Sequence, residues 1–412
     1  MTDTPPSDPD AANAPAAGTA MARSDGAAIR GGGTAAPIPF IDLAAQQARI
    51  RAGVEAGIAR VLDHGRYVMG PEIDELESRL SAFCGVPHAV ACGSGTDALA
   101  LPLMAWGLRP GDAVFCPAHT FTATAEVVAW LGASPVFVDV DPGTQCMDPA
   151  SLDRAIAQTR AEGALRPRAV IAVDLFGQIA DYEPIRGLCD AHGLKLVSDA
   201  AQGFGATRDG RHSGAWADVV ATSFFPAKPL GCYGDGGAVM VHDAELDEAL
   251  RSLRNHGANA DDRYDNIRIG MNGRMDSIQA AVLLEKLTIF PDEIDARNRV
   301  AARYSETLGD IVEVPVVPEG TRPTWAQYTV VLPEAGLRDG VMAALRGRGV
   351  PSAIYYPIPM HRQTAYAHYP VEGGRLPVTE DLAARVLSLP MHPYLGEADI
   401  ERVTDALRAA LA

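Results

Sequence analysis

The stretch "HAVACGSGTDALALPLMAWGL", His88–Leu108, decides how this chain folds. Its first five residues form a short apolar run. Gly93 and Gly95 follow, with Ser94 between them and Thr96 after. An apolar-rich helical pattern then runs through Leu108. A short apolar run bounded by turn residues reads as a buried strand, and the longer run behind it as a helix.

The same unit recurs down the chain. "AVFCP" (Ala113–Pro117) precedes "FTATAEVVAWLG", and "SPVFVDVD" (Ser134–Asp141) precedes "PASLDRAIAQTRA". "RAVIAVDLFG" (Arg168–Gly177) precedes "YEPIRGLCDAHG", and "KLVSDAAQ" (Lys195–Gln202) follows. Near-continuous apolar strands alternating with helices predict an α/β fold with a mostly parallel sheet covered by helices. "DVVATSFF" and "GGAVMVHD" read as two further strands joined by a loop.

The pattern changes after a long helical stretch that begins at Ser277, in which Pro291 marks a kink or break. "AQYTVVLP", "VMAALRGRGVPSAIYY" and a closing helix at "EADIERVTDALRAALA" predict a smaller α+β domain. The expected organisation is a large domain over residues 38–291 and a small one over 292–412. Residues 1–37 are Ala, Gly, Pro, Ser, Thr and Asp with almost no large apolar side chains, which predicts a disordered tail. No internal repeat is found.

Thirty-five Lys and Arg against 52 Asp and Glu give a formal net charge of −17. That balance argues against a nucleic-acid-binding surface, though a pocket on an acidic protein still accommodates a small anion. The six cysteines show no C-x-x-C pair and no accompanying His cluster, so neither a zinc site nor a disulfide framework is expected. Reduced, buried thiols in the cytoplasm are the expectation. No apolar run reaches the ~20 residues needed to span a bilayer, and the N-terminus carries no secretory apolar core.

Three stretches carry chemistry. At "GSGTDALAL" a strand turns into a helix start, whose free amides and positive dipole end suit a phosphate; a plain N-cap at Ser94 or Thr96 fits the same residues. It has neither the G-K-[ST] ending of a nucleotide-triphosphate loop nor a G-x-G-x-x-G turn. In "VSDAAQ", Asp199 ends a strand, where ligands of open α/β sheets bind; capping of the next turn fits equally. In "SFFPAKPLGCYGDGGAV" (Ser223–Val239), Lys228 lies between Pro226 and Pro229 in an apolar, glycine-rich loop. A lysine short of hydration has a lowered pKa and can form a Schiff base; a turn lysine is the ordinary alternative. In this order the three form the set a pyridoxal phosphate enzyme needs, a phosphate turn, a carboxylate for the ring nitrogen and a lysine for the aldehyde.

On these residues the chain resembles the DegT-type sugar aminotransferases. The motifs are "FIDLAAQQ", "GRYVMGPEIDELE", "GSGTDAL", "DAAQGFGA", "TSFFPAKPLGCYGDGGA" and "GMNGRMDSIQAA". Within that family "TSFFPAKPLGCYGDGG" and "YYPIPMHRQ" with "LSLPMHPYL" are similar to the enzymes that aminate UDP-2-acetamido-2-deoxy-3-oxo-glucuronate for bacterial surface polysaccharide, including lipopolysaccharide O-antigen. The resemblance implies the fold type I (aspartate aminotransferase-like) architecture, a pyridoxal 5′-phosphate cofactor, glutamate as amino donor and a homodimer with shared active sites.

It also implies roles. Lys228 carries the cofactor and shuttles the proton, and Asp199 pairs the ring nitrogen. Gln202 contacts the 3-hydroxyl region and Phe121 stacks on the ring. Gly95, Thr96 and Ser223 hold the phosphate, which Asn272 reaches in the neighbouring subunit. Arg274, Tyr355 and Tyr356 lie near the substrate, with a structural ion pair an equal alternative for Arg274. The family often has His where Tyr355 stands. A dehydrating branch has His at the lysine position, so Lys228 favours transamination. A dTDP-3-oxo-6-deoxyhexose aminotransferase is the alternative substrate reading, and a non-catalytic regulator on the same scaffold is the other.

Overall fold

The computed structural model describes residues 38–262 and 264–412. The expected tail over 1–37 lies outside the described residues. Among the described residues, eleven strands and eleven α-helices are distributed as follows. Two helices lead, α1 (Leu43–His64) and α2 (Pro71–Cys84). The alternation predicted from the sequence comes next: β1 (His88–Cys92), α3 (Gly95–Ala105), β2 (Asp112–Pro117), α4 (Ala123–Trp130), β3 (Ser134–Val138), α5 (Pro149–Glu162), β4 (Arg166–Val173), α6 (Tyr182–His192) and β5 (Lys195–Asp199). A two-residue strand β6 (Thr207–Arg208), then β7 (Val219–Ser223), β8 (Gly237–Val241) and α7 (Ala244–Leu253) follow. The last part holds α8 (Ser277–Leu308), β9 (Thr321–Arg322), β10 (Tyr328–Val331), α9 (Arg338–Gly347), α10 (Pro377–Arg385), β11 (Val386–Leu389) and α11 (Glu397–Leu411).

Seven strands form one sheet in the order β1-β8-β7-β5-β4-β2-β3. The pairs β2·β3, β2·β4, β4·β5 and β5·β7 are parallel. Only β8 runs the other way, antiparallel to both β7 and β1. Its strands are buried almost end to end, as parallel strands covered on both faces must be. On one face Leu99, Val127 and Leu250 bring α3, α4 and α7 onto the sheet. On the other, Ile156 and Ile185 bring α5 and α6, and Leu76 and Leu283 bring α2 and α8. A separate apolar cluster unites Tyr304 and Leu308 of α8 with β10, β11, α9 and α11.

The break expected at Pro291 is absent: α8 runs through it for 32 residues. Pro291 is exposed, so water can take the carbonyl that the missing N–H leaves free. Helical residues on either side are fixed in different cores, Phe290 and Ile294 under the large sheet and Val300 in the small cluster. The boundary expected at 291/292 therefore falls inside a shared helix.

A buried carboxylate ties α2 to the edge of the sheet. Glu77 accepts from the Ala91 amide (2.9 Å), from Arg251 (2.7 Å) and from Arg254 (2.5 Å), and Arg254 also donates to the Ala91 carbonyl. Glu77 and Arg254 are each 6% exposed or less. Removing one partner strands the other charge in the interior. Glu77→Ala is expected to lower the unfolding free energy by about 3–5 kcal/mol, read as a fall in the urea midpoint.

Candidate active site

Every chemistry-bearing residue of the large sheet lies at the carboxyl end of a strand, where the fold places ligands. Asp199 is the last residue of β5 and is buried. Thr124, in the first turn of α4, donates to one carboxylate oxygen at 2.8 Å, and the Ala201 amide donates to the other at 3.2 Å. Thr120 in turn meets Thr124 at 2.9 Å. Burial pushes the Asp199 carboxyl up, against these hydrogen bonds and the nearby positive charge of Lys228.

Lys228 sits in the loop after β7. The loop is closed at its base: the Phe224 amide donates to the Gly236 carbonyl and the Cys232 amide to the Phe224 carbonyl, each at 2.7 Å. Burial pushes the Lys228 amine down, and the charge of Asp199 pulls the other way. The two groups are therefore in electrostatic reach of each other, Asp199 buried and Lys228 half-buried.

The glycine turn meets the same place. Ser94 caps α3, its hydroxyl accepting from the Asp97 amide at 3.0 Å and its carbonyl from Ala98. The amides of Gly95 and Thr96 remain outside the helix ladder at its positive end. A Cβ on Gly95 would lie 2.5 Å from Ser223 Cβ. Only glycine lets the α3 start and the end of β7 approach this closely, which places the Gly95 backbone beside the Ser223 hydroxyl.

A second group is aromatic. Gln202 is buried; its side-chain oxygen accepts from the Phe176 amide at 2.6 Å, and its amide donates to the Tyr356 hydroxyl at 3.0 Å. Phe121 is 53% exposed, its ring centroid 6.2 Å from that of Tyr356. Tyr355 packs edge-on against Tyr356 at 5.7 Å and lies 6.5 Å from Phe40. The peptide bond between the two tyrosines is cis.

Asn272 and Arg274 stand apart from both groups. Asn272 is exposed and bridges to Asn255. Arg274 donates to Asn255 Oδ1 at 2.9 Å and lines a cavity of about 540 Å³ with Val68, Met69, Arg251, Arg254 and Asn255. Its backbone is nonetheless next to the phosphate turn, since the Gly273 carbonyl accepts from the Gly93 amide at 2.9 Å.

Three groups emerge only from the structure. Thr124 anchors Asp199; its trace in the sequence is the four-residue spacing from Thr120 at a helix start. His119 is 1% exposed at the end of β2, its ring edge-on to Phe176 and Tyr356. Burial, partly offset by the Gln145 side chain, pushes it down to about 4, so it is neutral near pH 7. Asp174, beyond β4, accepts from the Ala180 amide, the Tyr182 hydroxyl and Ser198, and burial pushes it up to about 7.

The DegT/DnrJ/EryC1/StrS aminotransferase family model matches residues 49–408. The chain is 47% identical to the UDP-2-acetamido-2-deoxy-3-oxo-D-glucuronate aminotransferase of Pseudomonas aeruginosa, over 90% of this chain and 99% of that one. It superposes on the crystal structure of a DegT DnrJ EryC1 StrS aminotransferase from Brucella abortus with a TM-score of 0.89 at 53% identity, covering 91% of this chain and 100% of that chain. It is also similar to ntda from Bacillus subtilis with bound cofactor PMP, with a TM-score of 0.81 at 28% identity and coverage of 92% and 86%.

The residues present fit a pyridoxal phosphate. The cradle between Gly95 and Ser223, which a Cβ would fill, suits its phosphate, and the buried Asp199 oxygens suit a protonated ring nitrogen. The depressed Lys228 amine suits its aldehyde.

Two outcomes follow from this geometry. Thr124→Val removes a donor to the Asp199 carboxylate and is expected to weaken pyridoxal phosphate retention about tenfold or more, measured by equilibrium dialysis. Asp174 binds a proton in the folded chain that it releases on unfolding. Its contribution to stability is whole below the ordinary carboxylate range and is lost as pH rises through about 7. Asp174→Asn is expected to flatten that decline, seen in urea midpoints of the cofactor-free protein between about pH 4 and about pH 8.

Proposed function

The chain belongs to the DegT/DnrJ/EryC1/StrS aminotransferase family, and we propose that it moves the amino group of glutamate to the 3-keto carbon of a UDP-linked 2-acetamido-3-oxo uronic acid. It is a transaminase whose cofactor is pyridoxal 5′-phosphate. When bound, that group supplies the electron sink that lets an amino group and a proton leave one carbon and arrive at another. The observation that carries the reading is the Gly95–Ser223 cradle at the strand ends together with the buried Asp199 carboxylate, which lies in the electrostatic field of the half-buried Lys228.

The chain's own residues divide the work. Lys228, its amine depressed by burial, is the base that takes a proton from the amino-acid Cα and returns it on the far side of the reaction. Asp199, held by Thr124 and the Ala201 amide, keeps a positive N–H opposite it. Gly95, Thr96 and Ser223 hold the phosphate, and Phe121 offers an exposed ring face. Gln202 has its side chain committed to the Phe176 amide and to Tyr356, so beside any cofactor contact it sets the Tyr356 hydroxyl toward the substrate. Arg274 offers a planar cation for a carboxylate, of glutamate or of the uronate.

The choice of sugar rests on the relative from P. aeruginosa. The resemblance of the sequence motifs further suggests a product for surface polysaccharide, lipopolysaccharide O-antigen included, made in the cytoplasm. No helix among the described residues is long and apolar enough to cross a membrane. A second copy of the chain completes the site. Tyr67, Val68, Ile267 and Ile269 are 52%, 46%, 52% and 94% exposed, apolar side chains that a partner copy would cover. Asn272 is exposed beyond them in the sequence and would reach the partner's cofactor phosphate. The large unit over 38–291 and the small one over 292–412 are joined through α8.

The test is a half-reaction. The loaded protein, mixed with glutamate alone, is expected to lose its visible absorbance and release 2-oxoglutarate, and Lys228→Ala to do neither. Addition of UDP-linked 2-acetamido-3-oxo-glucuronate should then restore the absorbance. Absence of 2-oxoglutarate would sink the transaminase mechanism proposed for these residues. Restoration by a dTDP-linked 3-oxo-6-deoxyhexose and not by the uronate would replace the sugar.

A further inference from the structure

A second lysine lies close behind the loop that presents Lys228. Lys286, on α8, is 1% exposed, and its ammonium has no hydrogen-bond partner. A buried charge without a partner is costly, so its surroundings must compensate. What faces it is the ring of Tyr233, whose centroid is 4.6 Å from Lys286 Nζ. Glu293, two turns further along α8, contributes its charge from a distance while its oxygens are engaged by Gln46 and Tyr394. Burial lowers the Lys286 amine to about 8, which leaves it mostly charged near pH 7.

Tyr233 is five residues beyond Lys228, next to the point where the loop closes on itself through Cys232 and Phe224. Its backbone is held by the same helix: the Tyr233 amide donates to Gln279 Oε1 at 2.9 Å. Gln279 and Lys286 are seven residues apart, two turns, and so share one face of α8. Tyr233 also packs in a small apolar cluster with Ile50, Val54, Val282 and Ile289. The loop is tight on its other side, because a Cβ on Gly231 would lie 2.6 Å from the Phe225 and Pro226 carbonyl oxygens. Movement of Tyr233 therefore carries through to the Pro226–Lys228 segment.

We propose that Lys286 is a positioning residue, whose ammonium clamps the Tyr233 ring against α8 and so fixes the loop that presents Lys228 to the cofactor. Such a clamp is a cation–π contact in a desolvated place, where it is strongest. It acts through Tyr233 and touches neither cofactor nor substrate. The inference rests on the reading that Lys228 carries the cofactor.

The test uses the full chain and pyridoxal phosphate itself. Affinity is read from visible absorbance after dialysis against graded free cofactor, and the melting midpoint is read on the cofactor-free protein. Lys286→Met and Tyr233→Leu are each expected to weaken pyridoxal phosphate binding about tenfold, with no further loss when combined. Tyr233→Phe keeps the ring face and is expected to bind as the wild type does. The melting midpoint of Lys286→Met should not fall, because the change removes an unpaired buried charge.

Unchanged affinity, full additivity in the double variant, or loss in Tyr233→Phe equal to that in Tyr233→Leu would overturn the clamp. So would a loss of affinity that tracks a fall in the melting midpoint. If Lys286→Met does not fold, the two Tyr233 variants still decide. A wild-type protein that takes up no pyridoxal phosphate strikes the role given to Lys228. A wild type that loads while the variants match it strikes the clamp alone.

Discussion

Two charges short of water, the buried Asp199 carboxylate and the half-buried Lys228 amine, set the constraint around which the large sheet is arranged. Neither is comfortable alone, since burial drives the carboxyl up and the amine down. They are tolerated because each lies in the other's field and because Thr124 and the Ala201 amide supply donors to Asp199. The parallel order of β5 and β7 brings their carboxyl ends side by side, with Asp199 paired to Ala221 two residues before Ser223. A slip of one residue in that register would turn Asp199 to the other face of the sheet.

The single antiparallel strand serves the same arrangement. Because β8 runs against β7 and β1, its first residue, Gly237, arrives at the edge where those strands end, beside the start of α3. A Cβ on Gly237 would meet the Ser94 carbonyl at 2.3 Å, and one on Gly95 would meet Ser223 at 2.5 Å. The glycines thus let three backbone segments converge where a phosphate can be held by amides. Behind them α8 acts as a common support. Its first half backs the loop and the sheet, its second half seats the small cluster, and Pro291 interrupts neither.

Much of this was legible in the sequence. The strand and helix alternation from His88 to Gln202 appears in the structure in the predicted order, because apolar runs of this length have few other stable solutions. Gly95, Ser223, Asp199 and Lys228 were each readable as a turn, a strand end or an odd charge, and the structure brings all four to one edge. Other features left weak traces. Thr124 and His119 look like ordinary residues of a helix start and a strand end. The α10–β11 segment lies in a stretch whose polar and apolar residues give no clear period. Pro291 looked like a stop, yet it falls on the exposed side of a helix fixed at both halves.

The sequence by itself determined the class of fold, the family resemblance and a set of candidate side chains for the chemistry, because these follow from local periodicity and residue type. Only the tertiary structure decided which of them meet. Desolvation, which depresses Lys228 and raises Asp199, is a property of everything packed around a residue and has no local signature. The same holds for Gln202, whose hydrogen bond to Tyr356 spans 154 residues, and for Lys286, whose partner is an aromatic ring brought to it by another segment.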